Sequence, residues 1–296
     1  MTPSFDWDTF IATSELSTQV VELDEDQRWS TWPETAHTLD RGPQPFPDWV
    51  VQHHGAIDTE LGVLKTGKEA DAFLIERALP EEDRTGRPGE VTLMVAKRFR
   101  SSEHVSFHRS QAYADGRRTR DSRVTRAIAR GTAFGREAAA TQWARTEFGA
   151  LRELFCAGLA VPYPVQIVEG ELCMEFIGVD GERPVAASRL HEMRPDAELA
   201  VQWAGELRRF VLDLADLGYA HGDLSPYNVL VDPRSETQRL VVIDVPQVVD
   251  LVANPHGREF LLRDCVNVCT WLRAHHAPEA STDPEEWYGR AVRRYL

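Results

Sequence analysis

Apolar positions along the chain change period several times, and each change marks an element. From Asp58 onward the pattern is one of short strands and turns: an apolar run at 61–64, a polar turn Lys65-Thr66-Gly67-Lys68-Glu69, and a second run at 70–75. Residues 90–99 alternate, which places Leu93, Val95, Lys97 and Phe99 on one side of a strand. The period then lengthens. Trp143, Glu147, Leu151 and Leu154 recur at helical spacing and predict a helix over 135–156. Runs at 165–168 and 172–177, joined by Glu169-Gly170-Glu171, predict a hairpin. Pro195 and Asp196 open a second helix, with Leu199, Trp203, Leu207, Phe210, Leu214 and Leu217 inward and Gly218 as its stop. A polar loop at 221–228 follows, then two apolar strands separated by a Pro-Arg-Ser turn, the second being Leu240-Val241-Val242-Ile243 and ending in Asp244.

Two positions break the hydrophobic pattern, and each explains the other. Lys97 stands among inward-facing apolar positions and needs an anion, while Glu147 sits in the middle of an apolar helical stripe and needs a cation. A Lys97–Glu147 ion pair is therefore expected, against the plainer reading of two solvated charges at the edges of their elements.

The 296 residues carry 42% apolar side chains, enough for a large core, and a net charge of −14, which argues against whole-molecule nucleic-acid binding. The charge is uneven. Residues 1–49 hold ten acidic and two basic side chains together with Trp7, Trp29, Trp32 and Trp49, so this part is expected to pack onto something. Gly42-Pro43-Gln44-Pro45-Phe46-Pro47 reads as a stiff linker. Residues 97–136 reverse the sign, with eleven basic against three acidic side chains. That basic connector suits RNA phosphates, docking on the protein's own acidic parts, or a solvated chain, and its Ser101, Ser102, Ser106 and Ser110 are candidate phosphate acceptors.

No apolar run approaches the ~18 residues of a membrane span, and the first ten residues lack a secretory pattern, so a cytoplasmic protein is expected. Cys156, Cys173, Cys265 and Cys269 lack zinc-site pairing. Cys265 and Cys269, one helical turn apart, are expected to be small core residues rather than metal ligands.

The chemistry gathers at His221-Gly222-Asp223-Leu224-Ser225-Pro226-Tyr227-Asn228 and Asp244. Phosphoryl transfer asks a protein to position an acceptor and neutralise charge. Asp223 can orient a hydroxyl, Asn228 and Asp244 can hold a hard cation, and His221 can brace the loop through a backbone hydrogen bond. The Lys65 to Glu69 turn can fold over phosphates, although an ordinary hairpin turn would look the same. The backbone of Glu175-Phe176-Ile177-Gly178 can meet a purine edge, although an ordinary strand end would look the same.

These pieces, in this order, resemble the RIO-type atypical serine/threonine protein kinases, closest to the RIO1 branch. The matching residues are Thr66 to Ala70, Val95-Ala96-Lys97, Trp143 to Phe148, Met174 to Gly178, His221 to Asn228, Ile243 to Gln247, and Arg258-Glu259-Phe260-Leu261 with Arg263-Asp264. The resemblance covers about 58–271. The H-G-D-L-x-x-x-N-x-L pattern also occurs in small-molecule kinases resembling aminoglycoside phosphotransferases.

The resemblance implies an α+β, two-lobed kinase fold with an antiparallel-sheet N-lobe and a mainly helical, shortened C-lobe. An acidic N-terminal extension and linker would occupy 1–50, the N-lobe 51–178 with the connector 101–136, and the C-lobe 179–296. It implies ATP with Mg2+ or Mn2+, held by Lys65, Thr66, Gly67, Lys68, Glu69, Lys97, Glu147, Glu175 and Ile177. Asp223 would be catalytic, with Asn228 and Asp244 on the metal. Self-phosphorylation on serine and a phosphoryl-aspartate at Asp244 are also implied.

Pro246 stands where the family usually has serine, the connector is long, and residues 1–50 do not resemble the family's accessory region. Those departures concern partner and substrate: an RNA or ribonucleoprotein through the connector is one expectation, a small-molecule acceptor a second, and a nucleotide-sensing module a third. Only 52 residues follow Asp244, without an A-P-E sequence, so a conventional peptide-docking platform is not expected.

Overall fold

The computed structural model describes residues 22–100, 132–245 and 248–295. Most of the basic connector, including all four of its serines, lies outside the described residues, as do Pro246, Gln247 and residues 1–21.

The strand-forming half of the chain folds into one antiparallel sheet. β1 (Gln27–Trp29), β2 (Ile57–Thr66), β3 (Ala70–Ala78), β4 (Val91–Phe99), β5 (Pro164–Val168) and β6 (Glu171–Glu175) lie in the order β1-β2-β3-β4-β6-β5. Helix α1 (Ala133–Cys156) crosses one face, where Leu151, Leu154, Ile167 and Leu172 join a core that continues into the second lobe. Thr132 caps this helix by accepting the Gly135 N–H at 3.0 Å.

The alternation in β4 holds, but both of its faces are covered. Lys97, Val95 and Phe99 face the interlobe side, while Met94 and Ala96 are fully buried in a second cluster with Trp32, Val50, Ile75, Tyr163, Val165 and Cys173. The cover comes from part of the segment expected to be an extension and linker, and that expectation needs correcting for residues 27–50. β1 pairs with β2, Trp32 packs edge-on against Phe46 with ring centroids 5.2 Å apart, and the Tyr163 hydroxyl donates to the Pro43 carbonyl at 2.8 Å. Aromatic burial outweighs the segment's acidity. Beneath the cover, Arg77 and Asp58 are buried together. Arg77 donates to both Asp58 oxygens (2.6 and 2.9 Å) and to the Gln166 side chain at 3.1 Å, which satisfies charges that could not otherwise leave water.

The second lobe is mainly helical. After β7 (Gly178–Val179) and β8 (Val185–Ala186), α2 (Ala197–Asp216) starts at Asp196, whose carboxylate accepts the Leu199 N–H at 2.8 Å. It ends at Gly218, where a φ of 82° suits glycine. Short pairs follow: β9 (Tyr219–Ala220) with β12 (Val249–Asp250), and β10 (Val229–Val231) with β11 (Leu240–Val242). Helices α3 (Gly257–Ala274) and α4 (Pro284–Tyr295) pack against α2 through Leu261, Val268, Leu272, Trp287 and Ala291. Cys265 and Cys269 are buried in this core as small apolar side chains. The fold is thus a mixed α+β arrangement of an antiparallel-sheet lobe and a helical lobe, with the polar loop at 221–228 between them. No helix among the described residues is long and apolar enough to cross a membrane.

Candidate active site

Lys97 reaches the cleft because β4 carries it in register with Ala72 on one side and Leu172 on the other, leaving its side chain free to cross toward α1. Its ammonium lies 2.7 to 2.8 Å from the two Glu147 oxygens and 3.0 Å from Asp244 Oδ1. The pair expected from the two pattern violations is present, and it bridges to the second lobe. Burial alone would depress the Lys97 pKa, yet the two carboxylates hold it well above the lysine range; burial in turn raises Glu147, opposed by the Lys97 charge.

Asp244 stands just past β11 with a φ of 65°, a strained angle for a residue with a side chain. Its side chain is 42% exposed, and its Oδ2 has no protein partner among the described residues. Burial would raise its pKa, but Lys97 outweighs that and keeps the carboxyl below the usual range.

The loop at 221–228 is gripped from both sides. His221 is buried, contacts the Ile243 carbonyl through Nε2 and accepts the Asp223 N–H at Nδ1, both at 3.3 Å. Burial depresses its pKa, so the neutral tautomer that makes both contacts is favoured and the ring serves as a brace. From α3, Asp264 accepts the Gly222 N–H (2.8 Å) and the Leu224 N–H (2.9 Å), Arg263 donates to the Gly222 carbonyl, and Asn267 donates to the Leu224 carbonyl at 3.1 Å.

Sequence reasoning had Asp264 only as part of a tail motif. Its sequence signal was an acid within the apolar face formed by Phe260, Leu261, Cys265 and Val268. Burial pushes its carboxyl up to about 7, with the two backbone N–H groups opposing.

Held this way, the Asp223 side chain is exposed, with no protein partner among the described residues. Asn228 is buried, its Nδ2 donates to the Asp223 carbonyl at 2.9 Å, and Oδ1 remains available.

The remaining candidates line the upper wall and the connection between lobes. At the turn between β2 and β3, the Gly67 N–H donates to the Ala70 carbonyl at 3.0 Å, and a Cβ there would lie 2.6 Å from that oxygen, so glycine is required. Thr66 closes β2, Lys68 and Glu69 are exposed on the turn, and the Lys65 charge is felt at Asp244 and Lys97.

The Glu175 side chain is already occupied, taking the Tyr163 N–H (3.1 Å) and Arg234 (2.8 Å). Any purine contact there falls to backbone. The Ile177 carbonyl accepts from Ala187 at 2.9 Å, while its N–H has no acceptor among the described residues. Arg234, which in sequence was only a turn residue, also donates to the Phe176 carbonyl at 3.3 Å and ties the connection to the β10–β11 turn.

Among the described residues there is no cluster of three or more His, Cys, Asp or Glu side chains able to hold a metal alone. Asn228 and Asp244 offer two hard oxygens, which suits Mg2+ because that ion takes one or two protein ligands and completes its shell with phosphate oxygens and water. The residues therefore fit a hard divalent cation, which Asn228 and Asp244 would hold.

Replacing Glu147 by Gln should weaken MgATP binding about tenfold, since Lys97 loses one charged partner and is drawn onto Asp244. Calorimetric titration of both proteins measures it; equal affinities would remove Glu147 from the site.

Comparison with known proteins agrees with this geometry. The family model described as RIO domain matches residues 87–285. The RIO-type serine/threonine-protein kinase Rio1 of Haloferax volcanii is 34% identical over 224 residues, covering 75% of this chain and 66% of that protein. Human serine/threonine-protein kinase RIO3 is 27% identical over 232 residues, covering 78% of this chain and 42% of that protein. The chain thus spans less than two thirds of the length of these relatives. Among solved structures, the Rio2 kinase complex with ADP, Mg2+ and phosphoaspartate from Chaetomium thermophilum superposes with a TM-score of 0.52 at 20% identity, over 79% of this chain and 62% of that one.

Proposed function

The chain belongs to the RIO domain family, and on that premise we propose that it is an ATP-dependent serine/threonine kinase or ATPase that phosphorylates itself and acts on an RNA or ribonucleoprotein partner. The observation that carries the reading is Lys97 bridging Glu147 and Asp244 beside a free Asp223.

In this proposal the purine lies against the backbone of Glu175 and Ile177, and the turn from Lys65 to Glu69 covers the phosphates. Lys97, oriented by Glu147, holds the phosphate oxygens. Asp223 accepts a hydrogen bond from the acceptor hydroxyl and aims its lone pair at the terminal phosphorus. Mg2+ or Mn2+ on Asn228 and Asp244 would supply neutralisation of the phosphate charge. Asp244 is a second candidate acceptor, since its Oδ2 is open and the related Rio2 structure holds a phosphoaspartate.

The basic connector 101–136 supports the RNA part by its charge alone. The test is turnover of labelled ATP by the wild-type protein with Mg2+ or Mn2+, with and without cellular RNA, reading free phosphate and label on protein. The proposal expects both products and an RNA-dependent change in their ratio. It fails if neither product appears, and turnover that depends on an added small metabolite would move the chain to the small-molecule kinases.

A further inference from the structure

Two cations flank the cleft from opposite walls: Lys65, which opens the turn placed over the phosphates, and Arg189, which has no part in the reaction as derived so far. Lys65, near the end of β2, is in register with Ala72, which pairs in turn with Lys97, so Lys65 lies on the same face of the sheet as Lys97. Arg189 belongs to the lower wall, where it bridges to Leu230 of β10 in antiparallel fashion, while neighbouring Ser188 accepts the Val231 N–H at 3.0 Å and Leu190 is fully buried. This anchorage fixes the Arg189 backbone beside the catalytic loop.

Its guanidinium donates to the Tyr227 carbonyl, one residue before Asn228. The Tyr227 ring is turned aside and packs on His191 with centroids 4.2 Å apart. A guanidinium has five N–H donors. That carbonyl is the only acceptor it meets among the described residues, and no carboxylate there pairs with it. The nearby Glu192 carboxylate accepts the Arg189 backbone N–H at 2.9 Å instead. Lys65 likewise has no ion-pair partner among the described residues.

The two charges sense each other. Burial lowers the Lys65 pKa first, and the Arg189 charge lowers it further, with Lys97 adding to this and Asp244 opposing. Lys97 is already paired with Glu147 and Asp244, which leaves Lys65 and Arg189 as cations at this side of the site with no ion pair among the described residues. Like charges held across a cleft are costly unless an anion lies between them.

We infer that Lys65 and Arg189 form a two-walled clamp on the outer phosphates of the bound nucleoside triphosphate, so that affinity rises with the number of phosphates the ligand carries. The inference rests on the nucleotide reading proposed above and adds a residue to it. Arg189 touches ligand in this arrangement, and its bond to the Tyr227 carbonyl aims the remaining donors into the cleft. The clamp also couples the lobes, because the phosphate chain replaces repulsion between β2 and the β10 side with attraction to both.

The test is calorimetric binding of MgATP, MgADP and adenosine to the wild type, Arg189→Ala, Arg189→Lys, Lys65→Ala and the double Ala variant. Each Ala substitution should weaken ATP about tenfold, equivalent to ~1.4 kcal/mol, and ADP by less. Adenosine affinity should be unchanged. Arg189→Lys should recover part of the ATP affinity, because the charge is kept.

The double variant should lose less than the product of the single effects, since both residues grip one ligand. Equal losses for adenosine and ATP would reduce Arg189 to a brace for Tyr227 and overturn the clamp, as would unchanged ATP affinity in both single variants. Lys65→Ala keeps the test decisive if Arg189→Ala folds poorly. A wild type that binds neither ATP nor adenosine would sink the underlying nucleotide reading and the clamp with it.

Discussion

Asp223→Asn should lower phosphoryl transfer by about 10²- to 10⁴-fold while leaving ATP affinity and thermal stability close to wild type. The asymmetry follows from how the residue is held. Its backbone is fixed at both ends, the N–H by His221 and the carbonyl by the Asn228 amide, so the loop does not depend on the side chain. The carboxylate itself is exposed and touches no protein group among the described residues. Amidation removes the negative charge that would orient an acceptor hydroxyl and receive its proton, and it changes the shape of the site very little. Single-turnover assays with labelled ATP measure the chemical step; calorimetry and melting curves measure the rest. Retained transfer would show that another group aligns the acceptor. A parallel loss of stability would show that the side chain has a structural partner.

What was legible in the sequence is largely what violates a periodic pattern. Lys97 and Glu147 were paired in advance because each was a charge where its element buries apolar residues, and a buried charge must find its opposite. The loop at 221–228 and Asp244 were legible because polar residues at short spacing between apolar strands have few structural uses. Local signals also set the second long helix: Asp196 and Gly218 bound α2 as capping chemistry requires.

Interactions between distant elements were not legible. The outer cover of the sheet depends on Trp32, Phe46 and Val50 meeting Met94 and Ala96, residues far apart in the chain. The tryptophans of 27–50 announce that this acidic, proline-rich segment packs onto something, but nothing local says that the partner is the face of β4. Arg234 was an ordinary turn residue until the structure brought it onto Glu175 and the Phe176 carbonyl. Arg189 carried no pattern at all, because its meaning lies in a wall opposite Lys65.

The largest structural consequence is expected at Asp264, which carries the loop without touching the chemistry. Asp264→Ala leaves the Gly222 and Leu224 N–H groups buried without acceptors, at ~1–3 kcal/mol each, and frees the loop that positions Asp223. Asp264→Asn restores one acceptor but turns an NH2 group toward the other N–H. Melting temperature and turnover should therefore both fall in the order wild type, Asn, Ala.

The pH dependence separates the two roles. Burial raises this carboxyl from 3.8 to about 7 in the folded protein, so folding takes up a proton between those values. The contribution of this group to stability is thus fully present below the unfolded pKa and is lost as pH rises through about 7. Activity moves the other way. A protonated Asp264 converts one acceptor oxygen into a donor, which loosens its hold on one of the two N–H groups, so turnover should decline as pH falls through about 7. His221 does not share this leg, since burial shifts its pKa downward and away from that range.

Turnover and melting profiles of wild type and Asp264→Asn on both sides of that value measure both effects. The acid leg should shrink in the Asn variant, because its amide does not titrate, leaving the share of Glu147, whose carboxyl burial also raises to about 7. An unchanged leg would assign the titration to another group and leave Asp264 as a scaffold of constant charge, whose two hydrogen bonds to the loop outweigh the cost of burying its carboxylate.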